Sequence, residues 1–166
     1  LELDPDDVST RVRLATVLTM RRNYRVALGE LTKAVRVDPK NAEAHMRAGN
    51  VHYFLKDYAK ALESYTLAAK ADPLDAGALN GQGLAHFALK RHDAALELFS
   101  RALALNPLSD RFYRNRAAVW TNLQKFGNAA ADFRAASMVN TDPTLVEEYR
   151  RLIEEAETRS ARGKST

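Results

Sequence analysis

A fixed period of 34 residues runs through this 166-residue chain, and four prolines mark it: Pro5, Pro39, Pro73 and Pro107. Each proline closes an apolar segment that ends in Asp or Asn, as in VRVDP at 35–39 and LALNP at 103–107. Internal periods of roughly 20 to 50 residues are typical of stacked units that cannot bury their apolar surface singly. The period therefore predicts an array of equivalent units.

Small and bulky residues recur at the same period in separate columns. Three columns contain only Ala and Gly: Ala15, Gly49, Gly83 and Ala117; Ala27, Ala61, Ala95 and Ala129; Ala34, Ala68, Ala102 and Ala136. Two columns are mostly bulky: Leu31, Tyr65, Phe99 and Phe133; Tyr24, Tyr58, His92 and Phe126. Small side chains let backbones approach closely while larger ones fill the remaining space. We expect dense packing between the units.

Each unit has the pattern of two amphipathic helices joined by a short polar turn. Apolar residues are spaced three and four apart, as in Tyr58, Leu62 and Tyr65, which is the helical period. Residues of the N-cap type precede the first helix of every unit: Asp7, Asn41, Asp75 and Ser109. Only seven Gly and five Pro interrupt the chain. These observations predict an all-α fold.

The repeated columns resemble the tetratricopeptide repeat (TPR) family. The second unit matches the family pattern at Gly49, His52, Ala61, Tyr65, Ala68 and Pro73, and the third at Gly83, Ala95, Phe99, Ala102 and Pro107. The resemblance spans residues 4–139 and implies a right-handed α-solenoid of antiparallel helix pairs, the TPR superhelix. Arg11 and Leu18 stand where the family favours aromatics, and Arg116 stands where it favours Leu.

The period divides the chain into four units, at 6–39, 40–73, 74–107 and 108–141. Residues 1–5 align with the end of a preceding unit, so we expect the chain to be part of a longer array. Apolar residues in 142–159 form one stripe opposite a charged face, which predicts a C-terminal capping helix. We expect residues 160–166 to be a disordered tail.

Composition disfavours several classes of function. The chain has no Cys, and its net charge is only +4, so neither a thiolate metal site nor strong nucleic-acid binding is expected. His45 and His52 lie about 10 Å apart along one helix, too far to share a metal ion. We predict no enzyme activity, no cofactor and no metal site. The absence of Cys, signal-peptide pattern and membrane-length apolar run favours a cytoplasmic location.

The resemblance also implies a concave groove lined by the first helix of each unit. The candidate peptide-binding residues on this face are Arg13, Met46, Arg47, Asn50, Tyr53, Phe54, Asn80, Leu84, Phe87, Arg111, Arg114 and Asn115. The Asn residues would bond a peptide backbone, the Arg residues would pair with its acids, and the aromatics would hold an apolar side chain. The alternative is that some aromatics pack between helices and the Arg side chains are only solvated.

We therefore predict a non-catalytic protein-interaction scaffold that binds an extended, acidic or mixed acidic and apolar peptide. One alternative is a co-chaperone clamp for a chaperone C-terminal peptide, although only Asn50 matches its signature, with Arg111 as a cation. Another is self-association through an uncovered N-terminal face that includes Leu3, Leu14 and Met20. A small-molecule substrate, a membrane and a nucleic acid are not expected as partners.

Overall fold

A computed structural model describes residues 7–162, and every regular element in that range is an α-helix. The helices are α1 Val8–Met20, α2 Tyr24–Val37, α3 Ala42–Phe54, α4 Tyr58–Ala71, α5 Ala76–Ala88, α6 His92–Leu105, α7 Asp110–Asn122, α8 Phe126–Val139 and α9 Pro143–Arg162. A helix of 13 residues followed by one of 14 recurs four times before α9. The all-α helical array predicted from the period is confirmed.

Cap residues and left-handed turns set the helix ends. The carboxylates of Asp7 and Asp75 and the amide oxygen of Asn41 accept hydrogen bonds from first-turn N–H groups. Ser109 occupies the predicted N-cap position of α7, but its side chain makes no such bond. Each turn inside a helix pair has one non-glycine residue at φ near +60°: Arg22, Lys56, Lys90 and Gln124. The N–H of the next residue closes the turn, as from Arg91 to the carbonyl of His86 at 2.9 Å.

Two buried or part-buried ion pairs explain two of the departures from the family pattern. Arg116 donates to both carboxylate oxygens of Asp132, at 2.9 and 2.7 Å, and to the hydroxyl of Ser100. Arg11 forms the corresponding link to Glu30 at 2.8 Å. Glu30 and Asp132 occupy one column of the period, whose other members are Ser64 and Leu98. Within this column, acidic residues thus occur only in the two units where an Arg departs from the family pattern. The sequence therefore already indicated these two ion pairs.

The two ends of the array differ. On α1, the side chain of Val17 is 45% exposed, whereas its equivalents Val51, Ala85 and Val119 are 0% exposed, since each packs against the helix pair before it. At the other end, Tyr149 of α9 donates to Asp110 at 2.7 Å and ties this helix to the start of α7. Leu3, the predicted contact at the first end, lies outside the described residues.

Helix α9 is longer than predicted. It ends at Arg162 rather than at residue 159, so the prediction of a disordered tail is wrong for residues 160–162. The helix continues because Ala161 favours helical structure and because Arg159 and Arg162 lie where cations interact well with the helix dipole. Residues 1–6 and 163–166, which include the predicted end of a preceding unit and the rest of the tail, lie outside the described range.

Candidate peptide-binding groove

A groove of about 340 Å³ lies between α3, α5 and α7. Its lining consists of Met46, Arg47, Asn50, Tyr65, Gly77, Asn80, Gly81, Leu84, Arg111, Arg114 and Asn115. Eight of the twelve residues predicted from the sequence are in this set. The other four, Arg13, Tyr53, Phe54 and Phe87, lie elsewhere on the array. The first helices of three successive units thus bring most of the candidate residues together.

The groove is concave because its floor, α5, lacks side chains where its neighbours have long ones. Gly77 is equivalent to Glu43 on α3 and to Arg111 on α7, and Gly81 is equivalent to Arg47 and Asn115. Met46 reaches from α3 towards Gly77, where an added Cβ would lie 3.2 Å from its terminal methyl group. The absence of a side chain at Gly77 therefore deepens the groove on its α5 side, whereas the space beside Gly81 is filled by the ring of Tyr65.

Tyr65 reaches the groove from α4, the second helix of its unit, and sequence reasoning missed it. Its ring lies between Gly49 and Gly81, so close that a Cβ on either would approach a ring carbon to 2.5 or 2.6 Å. Its hydroxyl donates to Oδ1 of Asn50 at 2.9 Å. Burial raises the pKa of Tyr65, so the hydroxyl remains a donor at neutral pH. Gly81, in a column that elsewhere holds Arg or Asn, was the available signal for this opening.

Asparagines from three helices have hydrogen-bonding groups left over for a ligand. Asn115 donates from Nδ2 to Oδ1 of Asn80 at 2.8 Å, and Asn80 is only 4% exposed. Within residues 7–162, the amide nitrogens of Asn50 and Asn80 and the amide oxygen of Asn115 have no hydrogen-bond partner. Two donors and one acceptor suit the carbonyl and N–H groups of an extended peptide backbone.

Three arginines and no acidic residue line the groove. Arg47 pairs with Glu43 on the rim at 3.0 Å, and its Nε is buried without a hydrogen-bond partner in the described chain. The guanidinium of Arg111 lies 5.3 Å from the ring centre of Phe112. Neither Arg111 nor Arg114 forms an ion pair within residues 7–162. Arg114 also interacts electrostatically with Asp110. The net positive charge of the lining would attract a carboxylate and offer it bidentate geometry.

The aromatic candidates Tyr53, Phe54 and Phe87 do not line the groove as the sequence predicted. Tyr53 packs against Tyr58 with ring centres 5.3 Å apart, and Phe87 packs against His92 at 5.8 Å. Both rings are half-buried between helices, so the packing alternative describes them. Phe54 is 57% exposed, but it stacks on Tyr24 at 5.9 Å rather than lining the groove. These three rings do not line the groove around Arg47, and their predicted contact with a ligand stays a prediction.

Arg13 is exposed on α1, away from the groove. His52 and His86 are partly buried, and burial lowers the pKa of both. Across residues 7–162, no three His, Asp or Glu side chains are grouped so that they could hold a metal ion. None of the helices described combines the length and apolar character needed to cross a bilayer.

Comparison with known proteins agrees with this architecture. A family model described as tetratricopeptide repeat matches residues 12–76, 56–110 and 80–143. No curated protein matches the chain significantly.

Several solved structures share the fold at low sequence identity. The crystal structure of MamA has a TM-score of 0.74 at 22% identity, covering 82% of this chain and 80% of that one. MamA 41-end from Desulfovibrio magneticus RS-1 gives 0.74 at 21% identity, covering 82% and 77%. YrrB, described as a TPR protein with an unusual peptide-binding site, gives 0.71 at 21% identity, covering 94% and 86%.

Proposed function

This chain belongs to the tetratricopeptide repeat family, whose members are generally non-catalytic scaffolds, and we propose that its groove binds an extended acidic segment of a partner protein. The segment runs across α3, α5 and α7. Asn50, Asn80 and Asn115 bond its backbone, while Arg111 and Arg114 pair with its carboxylates.

The observation that carries this proposal is the charge of the groove lining, which contains three Arg and no acid. An unpaired guanidinium in a partly enclosed groove binds a carboxylate more strongly than an exposed one, since less water screens the pair. The asparagine amides add hydrogen bonds that any extended peptide can make. The fold neighbour YrrB, described as having an unusual peptide-binding site, supports peptide binding as a use of such an array.

A chaperone C-terminal peptide is a less suitable ligand than an internal acidic segment. In the clamp signature, the position of Asn50 is matched, but the hydroxyl of Tyr65 occupies its amide oxygen. The following unit offers Gly81 where the clamp has an Asn. The groove therefore lacks two of the clamp's donors, its first Lys and its second Asn, because Met46 and Gly81 stand in their places.

The proposal is tested with peptides selected from a random 12-residue display library on the full chain. We expect the selected peptides to be acidic. The double variant Arg111→Gln/Arg114→Gln should weaken their binding roughly 100-fold or more, because each of the two lost charged hydrogen bonds is worth about 1.5–3 kcal/mol. Fluorescence anisotropy of the labelled peptides measures the change.

The matched control is Arg25→Gln/Arg36→Gln, which removes the same net charge from exposed positions on α2. It should leave the affinity within about twofold, since screened charges at a distance contribute little. Selection without enrichment of acidic residues contradicts the proposal. So does an equal loss of affinity in both double variants, because that result assigns the binding to net charge.

Self-association is a second candidate, favoured by the exposure of Val17 on a face that is buried in every following unit. A second copy of the chain would cover this face. Light scattering over a concentration series should then show a dimer that Val17→Lys abolishes. Leu74→Lys, at a 75% exposed site in the turn before α5, should leave the dimer intact. A wild-type chain that stays monomeric at high concentration contradicts this candidate.

A further inference from the structure

A second, largely apolar pocket of about 270 Å³ lies between α7, α8 and α9. Its lining residues are Ala118, Thr121, Phe126, Phe133, Leu152, Glu155, Ala156 and Arg159. The charged members are paired with each other, since Arg159 bonds Glu155 at 2.7 Å. The guanidinium of Arg159 also lies 5.6 Å from the ring centre of Phe126. The pocket therefore presents apolar walls to whatever enters it.

The pocket exists because one aromatic ring of the repeated pattern is missing. In the second unit Tyr53 packs on Tyr58, and in the third Phe87 packs on His92. The equivalent pair in the fourth unit is Thr121 and Phe126. Thr is too small to cover the ring of Phe126, so the space of a large side chain is left open. In the first unit, Thr19 leaves a similar gap, but Phe54 from α3 stacks on Tyr24 there.

The pocket adjoins the groove along one face of α7. Arg111 and Arg114 line the groove, and Ala118 and Thr121 line the pocket. These residues are spaced three, four and three apart, which places them on one stripe of a helix. Arg114 and Ala118 are separated by about 6 Å along the helix axis, at 1.5 Å per residue. A ligand in the groove can thus extend past Arg114 into the pocket.

We propose that the pocket binds a bulky apolar side chain of the same acidic segment, in the place of the missing ring. An extended chain advances about 3.3 Å per residue, so the apolar residue follows or precedes the acid bound at Arg114 by two to four positions. Leu, Met and Phe have the size and shape required. Helix α9 then acts in specificity, because Leu152 and Ala156 form one wall. This inference rests on the proposed peptide binding in the groove.

A substitution that removes a pocket wall would also disturb the packing of α9. The test therefore fills the pocket and leaves its walls in place. Thr121→Phe restores the residue type found at Phe87 and should leave the fold stable. Ala118→Leu fills the same space from the adjacent turn and serves as a second variant. Thr32→Phe, at an exposed site on α2, is the matched control. Circular dichroism and thermal melting report whether each variant is folded.

The experiment repeats the library selection on the wild-type chain and on these variants. Wild-type and Thr32→Phe proteins should select acidic peptides with an apolar residue two to four positions away. Replacing that residue with Ala should weaken binding to the wild type roughly tenfold or more. The same replacement should have little effect on binding to Thr121→Phe or Ala118→Leu, because their pockets are filled.

The outcomes separate this inference from the proposed function. Acidic peptides without an apolar preference would overturn the apolar pocket while supporting the basic groove. An equal tenfold loss in the filled variants would also overturn it, because the apolar residue would then bind elsewhere. Selection of peptides without acidic residues, or of none, would overturn both.

Discussion

Replacing Gly81 with Ala should destabilise the protein by about 2 kcal/mol and impair the groove. A Cβ at this position would lie 2.6 Å from Cδ1 and 2.7 Å from Cε1 of Tyr65. The ring has little room to retreat, because it also lies against the backbone of Gly49, where an added Cβ would come within 2.5 Å of Cδ1. The Tyr65 side chain is also just 2% exposed, so no open space is available nearby.

Three contributions set the magnitude. Overpacking a well-filled site is typically worth about 1–3 kcal/mol of lost stability. A ring that shifts also loses the hydrogen bond from Tyr65 to Asn50, worth about 1 kcal/mol. Ala is a better helix former than Gly by roughly the same 1 kcal/mol. The last two contributions offset each other, and the overpacking remains.

Urea unfolding followed by circular dichroism at 222 nm measures the change in the free energy of unfolding. Gly29→Ala on α2 is the matched control, since a Cβ there meets nothing within 4 Å. It should stabilise the protein by about 0.5–1 kcal/mol through helix propensity alone. If Gly81→Ala stabilised the protein as Gly29→Ala does, the close approach of Tyr65 to α5 would be refuted.

Three further changes test the interactions that hold the array together. Lys90→Gly should stabilise the protein by about 0.5–1 kcal/mol, because φ of 62° strains a non-glycine residue; thermal and urea unfolding measure it. Asp132→Ala should destabilise it by about 2–4 kcal/mol, since Arg116 loses its carboxylate partner, whereas Arg116→Leu/Asp132→Leu should recover most of this loss. Burial raises the pKa of Asp110, but hydrogen bonds from Tyr149 and Asn140 outweigh it and hold the pKa below its ordinary value. The stabilisation is therefore complete above about pH 4 and is lost as pH falls further, so urea unfolding of Asp110→Asn should show a weaker acid dependence.

Each of these has an outcome that would contradict it. A lower melting temperature for Lys90→Gly would mean that flexibility outweighs the relief of strain. A double Leu variant no more stable than Asp132→Ala would show that the ion pair cannot be replaced by apolar packing. An unchanged acid dependence in Asp110→Asn would mean that other carboxylates govern unfolding at low pH.

The helices and their order were predictable from sequence because they depend on local patterns. Apolar spacing, caps such as Asn41 and the small columns act within one unit or between neighbours at a known period. The stripe of candidate groove residues on α3, α5 and α7 was predictable for the same reason. The sequence did not show which residues of that stripe line the groove, because Tyr53 and Phe87 have the spacing of groove residues but pack against second helices.

Contacts between helices that are distant in sequence could be identified only from the tertiary structure. Tyr65 belongs to a packing column, and only the absence of a side chain at Gly81 lets it reach the groove. The pocket beside Phe126 depends equally on a residue that is too small, Thr121, and on the approach of α9. A residue smaller than the rest of its column is visible in the sequence, but the ring or ligand that fills the space beside it is not.

The amino-acid sequence by itself determined that this protein is an array of helix pairs, because a period of 34 residues repeats the same local preferences and the same small contact positions. The folded structure decided where that array is concave, charged and open. Those properties depend on how side chains from three or more helices share one space, and packing in three dimensions, rather than periodicity, determines which of them fill it.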